Sequence, residues 1–136
     1  MAKKIKVMIF GTFDGLHPGH LSFFRQAKKR GNYLVAVIGR NLTVKRLKGH
    51  LPIFNEKARL GAIKRVKSVN KAVLGHKKDY FRTILKERPD IICLGYDQKI
   101  PGNLAPKIKK GGIKIYRLKS YKPRIYKSSK LFRKIK

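Results

Sequence analysis

Short apolar runs alternate along this chain with longer stretches in which apolar and basic residues recur at helical spacing. Apolar runs of this length predict strands, and the stretches between them predict helices. This alternation is typical of a parallel sheet whose strands are joined by crossover helices. We therefore predict an α/β three-layer sandwich with about five parallel strands, at Ile5–Phe10, Tyr33–Ile38, Ala72–Leu74, Asp90–Leu94 and Ile113–Leu118.

Turn and capping residues mark the ends of the predicted helices. Proline is favoured in a first helical turn, asparagine caps helix starts, and a later proline or a glycine ends a helix. The expected helices are Pro18–Arg30, Asn55–Val66, one around Tyr80–Leu85, Leu104–Lys110 and one from Ser128 onward. The segment Asn41–Lys48 is expected to be a short basic connection, and Gly49–Pro52 a loop. A chain of 136 residues suits one core of ordinary size, so 1–136 is interpreted as a single domain.

The apolar runs are far shorter than the ~20 residues of a membrane-spanning helix, so we expect a soluble protein without a membrane span. No signal-peptide pattern is visible at the start of the chain. The single cysteine, Cys93, cannot form an intrachain disulfide, which favours a reducing cytoplasm as the location. Its neighbours Ile92 and Leu94 indicate a packing role rather than a nucleophile.

The chain is strongly positive, because it contains 36 Lys and Arg but only 6 Asp and Glu, which gives a formal net charge of +30. Such a field attracts polyanions. The basic residues are spread along the whole length with no long block, so no specific basic tail is indicated. The charge either serves an anionic partner, through non-specific polyanion binding, or reflects a lysine-rich proteome. No nucleic-acid-binding motif accompanies it.

Residues 11–20 carry the densest chemistry in the chain: Gly11, Gly15 and Gly19 together with Thr12, Asp14, His17 and His20. Ligands of open parallel sheets gather at the carboxyl ends of the strands, which is where this segment is expected. Glycines let backbone amides approach a phosphate, and the helix predicted from Pro18 directs the positive end of its dipole at the same place.

The two histidines are three residues apart at that helix start, so their rings can share one face and point at one group. Paired imidazoles at a helix terminus suit an oxyanion whose charge grows during reaction. The alternative is a metal pair or two structural histidines, but no further cysteine or carboxylate cluster has the spacing of zinc ligands.

The segment Gly11–His20 resembles the G-T-F-D-x-L-H-x-G-H signature of the cytidylyltransferase-like nucleotidyltransferases, whose fold is a Rossmann-like sandwich. The resemblance extends over nearly the whole chain and is greatest to the archaeal FAD synthetases, with glycerol-3-phosphate cytidylyltransferases next. Arg40–Ile53 is similar to the R-D-x-T-V-K-x-x-K-G-x-x-P-I stretch of the FAD synthetases, and Leu94–Gln98 to their L-G-x-D-Q turn.

This resemblance implies nucleotidyl transfer from ATP or CTP, with Mg²⁺ or another divalent metal, to a phosphorylated small-molecule acceptor. It implies that His17 and His20 hold the triphosphate, that Thr12 and the amides of Gly11, Phe13 and Gly19 position phosphates, and that Asp14 orients the site or a magnesium-bound phosphate. Lys45 would face the acceptor, with Lys48 a weaker alternative. The remaining nucleotide contacts are implied for Arg59, Asp97, Gln98, Ser128 and Ser129.

Several points stay open. Arg59 is alternatively a solvated helix residue, and Ser128 a plain helix cap. The family's aspartate after Arg40 is Asn41 here, and either Lys122 or Arg124 could match the arginine of the cytidylyltransferases.

We expect this enzyme to synthesise FAD from FMN and ATP, and a glycerol phosphate cytidylyltransferase is the alternative enzyme. A nucleic-acid-binding module on the same scaffold is the alternative of another class, and a homodimer is left open.

Overall fold

The computed structural model describes residues 3–100 and 104–120, and the strands of this part form one five-stranded sheet. The strands are β1 (Lys6–Gly11), β2 (Tyr33–Ile38), β3 (Lys71–Leu74), β4 (Ile91–Leu94) and β5 (Lys114–Arg117). Their order is β3-β2-β1-β4-β5, and every neighbouring pair is parallel. The predicted α/β fold with about five parallel strands is confirmed.

The strand order reverses at β1. From β1 the chain adds β2 and β3 on one side, then crosses back to add β4 and β5 on the other. Connections that leave β1 and β4 in opposite directions open a crevice at the carboxyl ends of these two strands. Gly11 ends β1 at this crevice, so the loop that follows it lies at the usual ligand position of such sheets.

Helices cover both faces of the sheet. They are α1 (Pro18–Lys28), α2 (Asn41–Lys48), α3 (Glu56–Lys64), α4 (Tyr80–Glu87) and α5 (Leu104–Lys110). Phe24 of α1 and Ile63 of α3 are fully buried against one face, and Ile84 of α4 and Ile108 of α5 are buried against the other. Successive strand residues point to opposite faces, so both cores are supplied by the same strands.

The segment Asn41–Lys48, expected only as a short basic connection, forms the helix α2. Its start has no capping side chain of its own. Instead, the Asn41 amide donates to Glu56 Oε1 of α3 at 3.0 Å, and Arg40 forms an ion pair with the same carboxylate at 3.3 Å. Because this carboxylate comes from a distant helix, the local sequence does not carry the signal that begins α2.

The other boundaries agree with prediction to within a few residues. Asn55 caps α3 as expected, since its side chain accepts from the Ala58 amide at 2.8 Å. Cys93 is fully buried, and burial raises the pKa of its thiol to about 11, which confirms the packing role. The helix predicted from Ser128 onward lies outside the described residues.

Within residues 3–100 and 104–120, no helix combines the length and apolar character needed to cross a bilayer. The cytoplasmic location stays a prediction.

Candidate active site

The loop after β1 folds back over its own first residue. Phe13 has a φ of 51°, in the left-handed region that non-glycine residues rarely adopt, and Gly15 has a φ of 92°. The Phe13 ring turns inward, is 6% exposed and meets the Phe24 ring edge-on at a centroid distance of 5.2 Å. A Cβ on Gly11 would lie 2.5 Å from that ring. Gly11 is therefore required by packing, and only the backbone of Phe13 remains to serve its predicted contact with a nucleotide.

The two histidines cap the start of α1 reciprocally. The Gly19 amide donates to His17 Nδ1 at 3.0 Å, and the His17 amide donates to His20 Nδ1 at 3.3 Å. These are the positions that serine or threonine and glutamate occupy in an ordinary capping box. The two rings stack with centroids 3.8 Å apart. The expectation that His17 and His20 share one face of the helix start agrees with this geometry.

The caps also fix which ring nitrogen carries the proton. Each Nδ1 accepts a hydrogen bond from a backbone amide, so the proton of the neutral ring is on Nε2. Burial lowers the pKa of His17, and burial, followed by the charges of His17 and Lys48, lowers the pKa of His20 to about 4. At neutral pH the pair therefore offers two neutral Nε2–H donors at the positive end of a helix.

Asp14 joins this loop to the segment after α2. Its carboxylate accepts from the amides of Ile53 and Phe54 at 2.7 and 2.8 Å. A carboxylate with two amide donors is held firmly in one orientation. The structure thus gives Asp14 a positioning task that is compatible with the orienting role implied by the family resemblance.

Arg59 is 1% exposed, so the interpretation as a solvated helix residue was wrong. Its guanidinium donates to the carbonyls of Phe54 at 2.9 Å, Thr12 at 2.9 Å and Gly39 at 2.7 Å, and to Asn41 Oδ1 at 2.7 Å. These bonds tie together the segments that follow β1 and β2. Asn41, at the position of the family's aspartate, is one of the acceptors. The predicted contact of Arg59 with a nucleotide stays a prediction.

Lys48 interacts electrostatically with His20 of the motif. Its charge helps to lower the pKa of His20. Burial lowers the pKa of Lys48 itself, while the carboxylates of Asp14 and Asp97 oppose that effect. Taken as whole residues, Lys45 and Lys48 are both exposed on α2, so exposure does not distinguish them. The interactions with His20 and Asp14 favour Lys48, ranked second from the sequence, as the lysine beside the motif, and the role of Lys45 toward the acceptor stays a prediction.

The turn after β4 is held by its own Gln98 and by Arg117 of β5. Gln98 accepts from the Gly95 amide at 3.1 Å and donates to the Phe10 carbonyl at 3.0 Å, which joins this turn to the end of β1. Arg117, the last residue of β5, donates to the carbonyls of Gly95 at 2.8 Å and Gln98 at 2.7 Å. Sequence reasoning missed Arg117, whose only signal is its place at a strand end. The predicted base or ribose contacts of Asp97 and Gln98 stay predictions.

Ser128, Ser129, Lys122 and Arg124 lie outside the described residues, so the predicted phosphate contacts of the two serines stay predictions. A cavity of about 490 Å³ opens beside β3, and neither His17 nor His20 lines it. Its lining includes five basic residues, which are Arg40, Lys77, Lys78, Arg82 and Lys86. Such a surface is compatible with polyanion binding, which stays a prediction.

Known proteins similar to this chain include several with a stated activity. An FAD synthase of Aciduliprofundum boonei is 49% identical over 120 residues, which cover 86% of this chain and 80% of that protein. An FAD synthase of Thermoplasma volcanium is 44% identical over 134 residues, which cover 96% of this chain and 94% of that protein.

Two solved structures are also similar. One, described as a lipopolysaccharide core biosynthesis protein from Thermoplasma volcanium, has a TM-score of 0.80 at 45% identity and covers 88% of this chain and 99% of its own. The other is a bifunctional NMN adenylyltransferase/ADP ribose pyrophosphatase from Francisella tularensis, complexed with AMP and manganese. At 15% identity and a TM-score of 0.59, over 97% of this chain and 41% of its own, it shows likeness of fold alone.

The family model described as Cytidylyltransferase-like matches residues 8–133, which is almost the whole chain. The match includes the loop after β1, both histidines and the turn after β4. The relatives of 44% and 49% identity extend over most of their own lengths, and they are named as enzymes. The chain therefore belongs to the cytidylyltransferase-like family and is a nucleotidyltransferase.

Proposed function

We propose that this chain transfers the adenylyl group of ATP to FMN, forming FAD and pyrophosphate. The observation that carries the proposal is the pair of neutral Nε2–H donors at the start of α1, in a chain whose relatives of 37–49% identity are named FAD synthase. Because those relatives are named as enzymes, the alternative of a nucleic-acid-binding module is not carried forward.

In the proposed reaction, a phosphate oxygen of FMN attacks the α-phosphorus of ATP, the bond from that phosphorus to the oxygen bridging to the β-phosphate breaks, and pyrophosphate leaves. Little covalent work falls to the protein in such a transfer, so positioning and charge stabilisation dominate. His17 and His20 would donate from Nε2 to phosphate oxygens. Neutral donors serve this task without a proton transfer, which fits their lowered pKa values.

The other roles follow from position. Amides of the Gly11–Gly19 loop and the Thr12 side chain would bind phosphates, with Lys48 rather than Lys45 supplying the positive charge beside the histidines. Arg59 would act by holding the ends of β1 and β2 in place. Asp97, on the turn that Gln98 and Arg117 hold, would face the nucleoside.

A divalent cation such as Mg²⁺ would neutralise charge on the triphosphate. Among the described residues, no three His, Cys, Asp or Glu side chains are grouped to hold a metal ion. One oriented carboxylate, that of Asp14, fits Mg²⁺, because this ion is commonly bound by substrate phosphates with one or two carboxylates rather than by a protein cage. Asp14, with its carboxylate already oriented, is the carboxylate that we propose for a contact with the magnesium-bound phosphates.

The test is a matrix of Mg²⁺ with ATP or CTP and with FMN or glycerol 3-phosphate, in which pyrophosphate is measured together with the product by chromatography. We expect FAD from ATP and FMN, and no turnover by His17→Ala while its folding, measured by circular dichroism, is retained. Release of pyrophosphate only with CTP and glycerol phosphate would contradict the proposal and would favour the cytidylyltransferase alternative.

A further inference from the structure

Exposed large apolar side chains are concentrated next to the active-site loop. Of nine such residues in the described part of the chain, five lie between positions 42 and 54. Three of these, Leu51, Ile53 and Phe54, are called the apolar platform here; the residues are 53%, 57% and 46% exposed. A soluble protein rarely concentrates exposed apolar surface without a use for it, and such patches commonly mark a binding site.

The backbone of the platform is fastened to the residues that surround the histidines. Asp14 accepts the amides of Ile53 and Phe54, and Arg59 Nε donates to the Phe54 carbonyl at 2.9 Å. On the platform these bonds use main-chain atoms alone, so the side chains of Ile53 and Phe54 take no part in them. A molecule lying on the platform is consequently held beside the loop that follows β1.

A positive charge adjoins this apolar surface. Lys48 precedes the platform in the chain, and its charge acts on His20 while the Asp14 carboxylate acts on it in turn. An apolar surface with a cation at its active-site edge complements a ligand that has a flat apolar ring at one end and a phosphate at the other. A glycerol phosphate has no apolar part to cover these side chains.

Resting on the proposed function, we propose that the platform of Leu51, Ile53 and Phe54 binds the isoalloxazine ring of the acceptor FMN, with its phosphate directed toward Lys48 and the histidines. The platform then selects an acceptor with a large aromatic ring over small phosphates. A second copy of the chain is the other occupant to consider. Its formal charge of +30 would oppose the approach of the identical chain, whereas FMN is an anion.

The test compares Phe54→Ala and Ile53→Ser with Leu85→Ser, a control on α4 that is 58% exposed and distant from the platform in the chain. Neither platform substitution removes the amide that Asp14 binds. Binding of FMN is followed by quenching of flavin fluorescence, and steady-state rates give KM for FMN and ATP separately. We expect each platform variant to raise the Kd and KM for FMN by about threefold to tenfold, while KM for ATP and kcat stay within about twofold. Phe54→Tyr should restore most of the affinity, and Leu85→Ser should change neither constant.

The outcomes separate this proposal from the proposed function. Wild-type protein that makes FAD with a KM for FMN insensitive to both platform substitutions would overturn the platform and keep the function. Wild-type protein that binds FMN through Phe54 without adenylating it would overturn the function and keep the platform. A dimer in sedimentation velocity that Phe54→Ala dissociates, with FMN binding unchanged, would assign the surface to a second copy and overturn the proposal.

Discussion

Gly11→Ala would place a methyl group too close to the ring of Phe13. The new Cβ would lie 2.5, 2.7 and 2.9 Å from three carbons of that ring, where carbon atoms normally approach to about 3.5–4.0 Å. The ring must therefore move by about an ångström. It has little space to do so, because it is 6% exposed and packed edge-on against Phe24.

The expected loss of stability is that of an overpacked core, about 1–3 kcal/mol. For a chain of this size each kcal/mol corresponds to roughly 3–4 °C in Tm, so the midpoint should fall by about 3–12 °C. Activity should fall further. The Phe13 ring contacts His20 edge-on at 5.6 Å, and a displacement of about 1 Å near reacting groups can reduce kcat by up to about 100-fold.

The assay is thermal unfolding followed by circular dichroism, with kcat measured well below the lowest midpoint. Gly61→Ala is the matched control: Gly61 lies within α3 with no atom inside 4 Å of an added Cβ, so this variant should be more stable by about 0.5–1 kcal/mol. Gly11→Ala combined with Phe13→Leu should lose less stability than the sum of the two single changes. Strict additivity, or a wild-type midpoint for Gly11→Ala, would refute the argument.

Four further outcomes follow from the contacts. Arg117→Met should raise KM for the nucleotide more than it lowers kcat, because it releases the carbonyls of the turn after β4, and Arg117→Lys should recover part of the loss in the same steady-state assay. Asp14→Asn should lower kcat by about tenfold or more, since an amide cannot accept from two backbone N–H groups with the strength of a carboxylate, and circular dichroism should show an intact fold. The pKa of His20 is about 4, below its ordinary 6.5, so the unfolded chain binds this proton more readily and the free energy of unfolding should fall as pH drops from 6.5 toward 4. Urea unfolding should show that slope, and His20→Gln should reduce it. Cys93 should resist thiol reagents until the chain unfolds, since burial raises its pKa to about 11; rapid labelling of native protein would contradict this.

Local sequence signals were sufficient where a residue acts through its own neighbourhood. The buried strands, the proline that begins α1 and the asparagine that caps α3 were all predicted, because strand burial and helix capping depend on residues within a few positions. The fold class followed from the same local signals, and the reaction type was implied by the family resemblance that the Gly11–His20 motif carries.

Contacts between distant segments were decided only by the tertiary structure. The start of α2 depends on Glu56 of α3, and the burial of Arg59 depends on carbonyls that follow β1 and β2. Arg117 holds a turn that is about twenty residues away in the chain. A single sequence does not state which distant carbonyl or amide a charged side chain will meet.

The sequence by itself thus determined a parallel α/β sheet and a glycine-rich loop with two histidines at a helix start, because periodicity, glycine and capping chemistry are local properties. The tertiary structure decided how that loop works. It showed that the caps on His17 and His20 place their protons on Nε2, and that Asp14 joins the loop to the apolar platform. These properties depend on which groups meet in space and on how much water they lose there, and both are set only when the chain has folded.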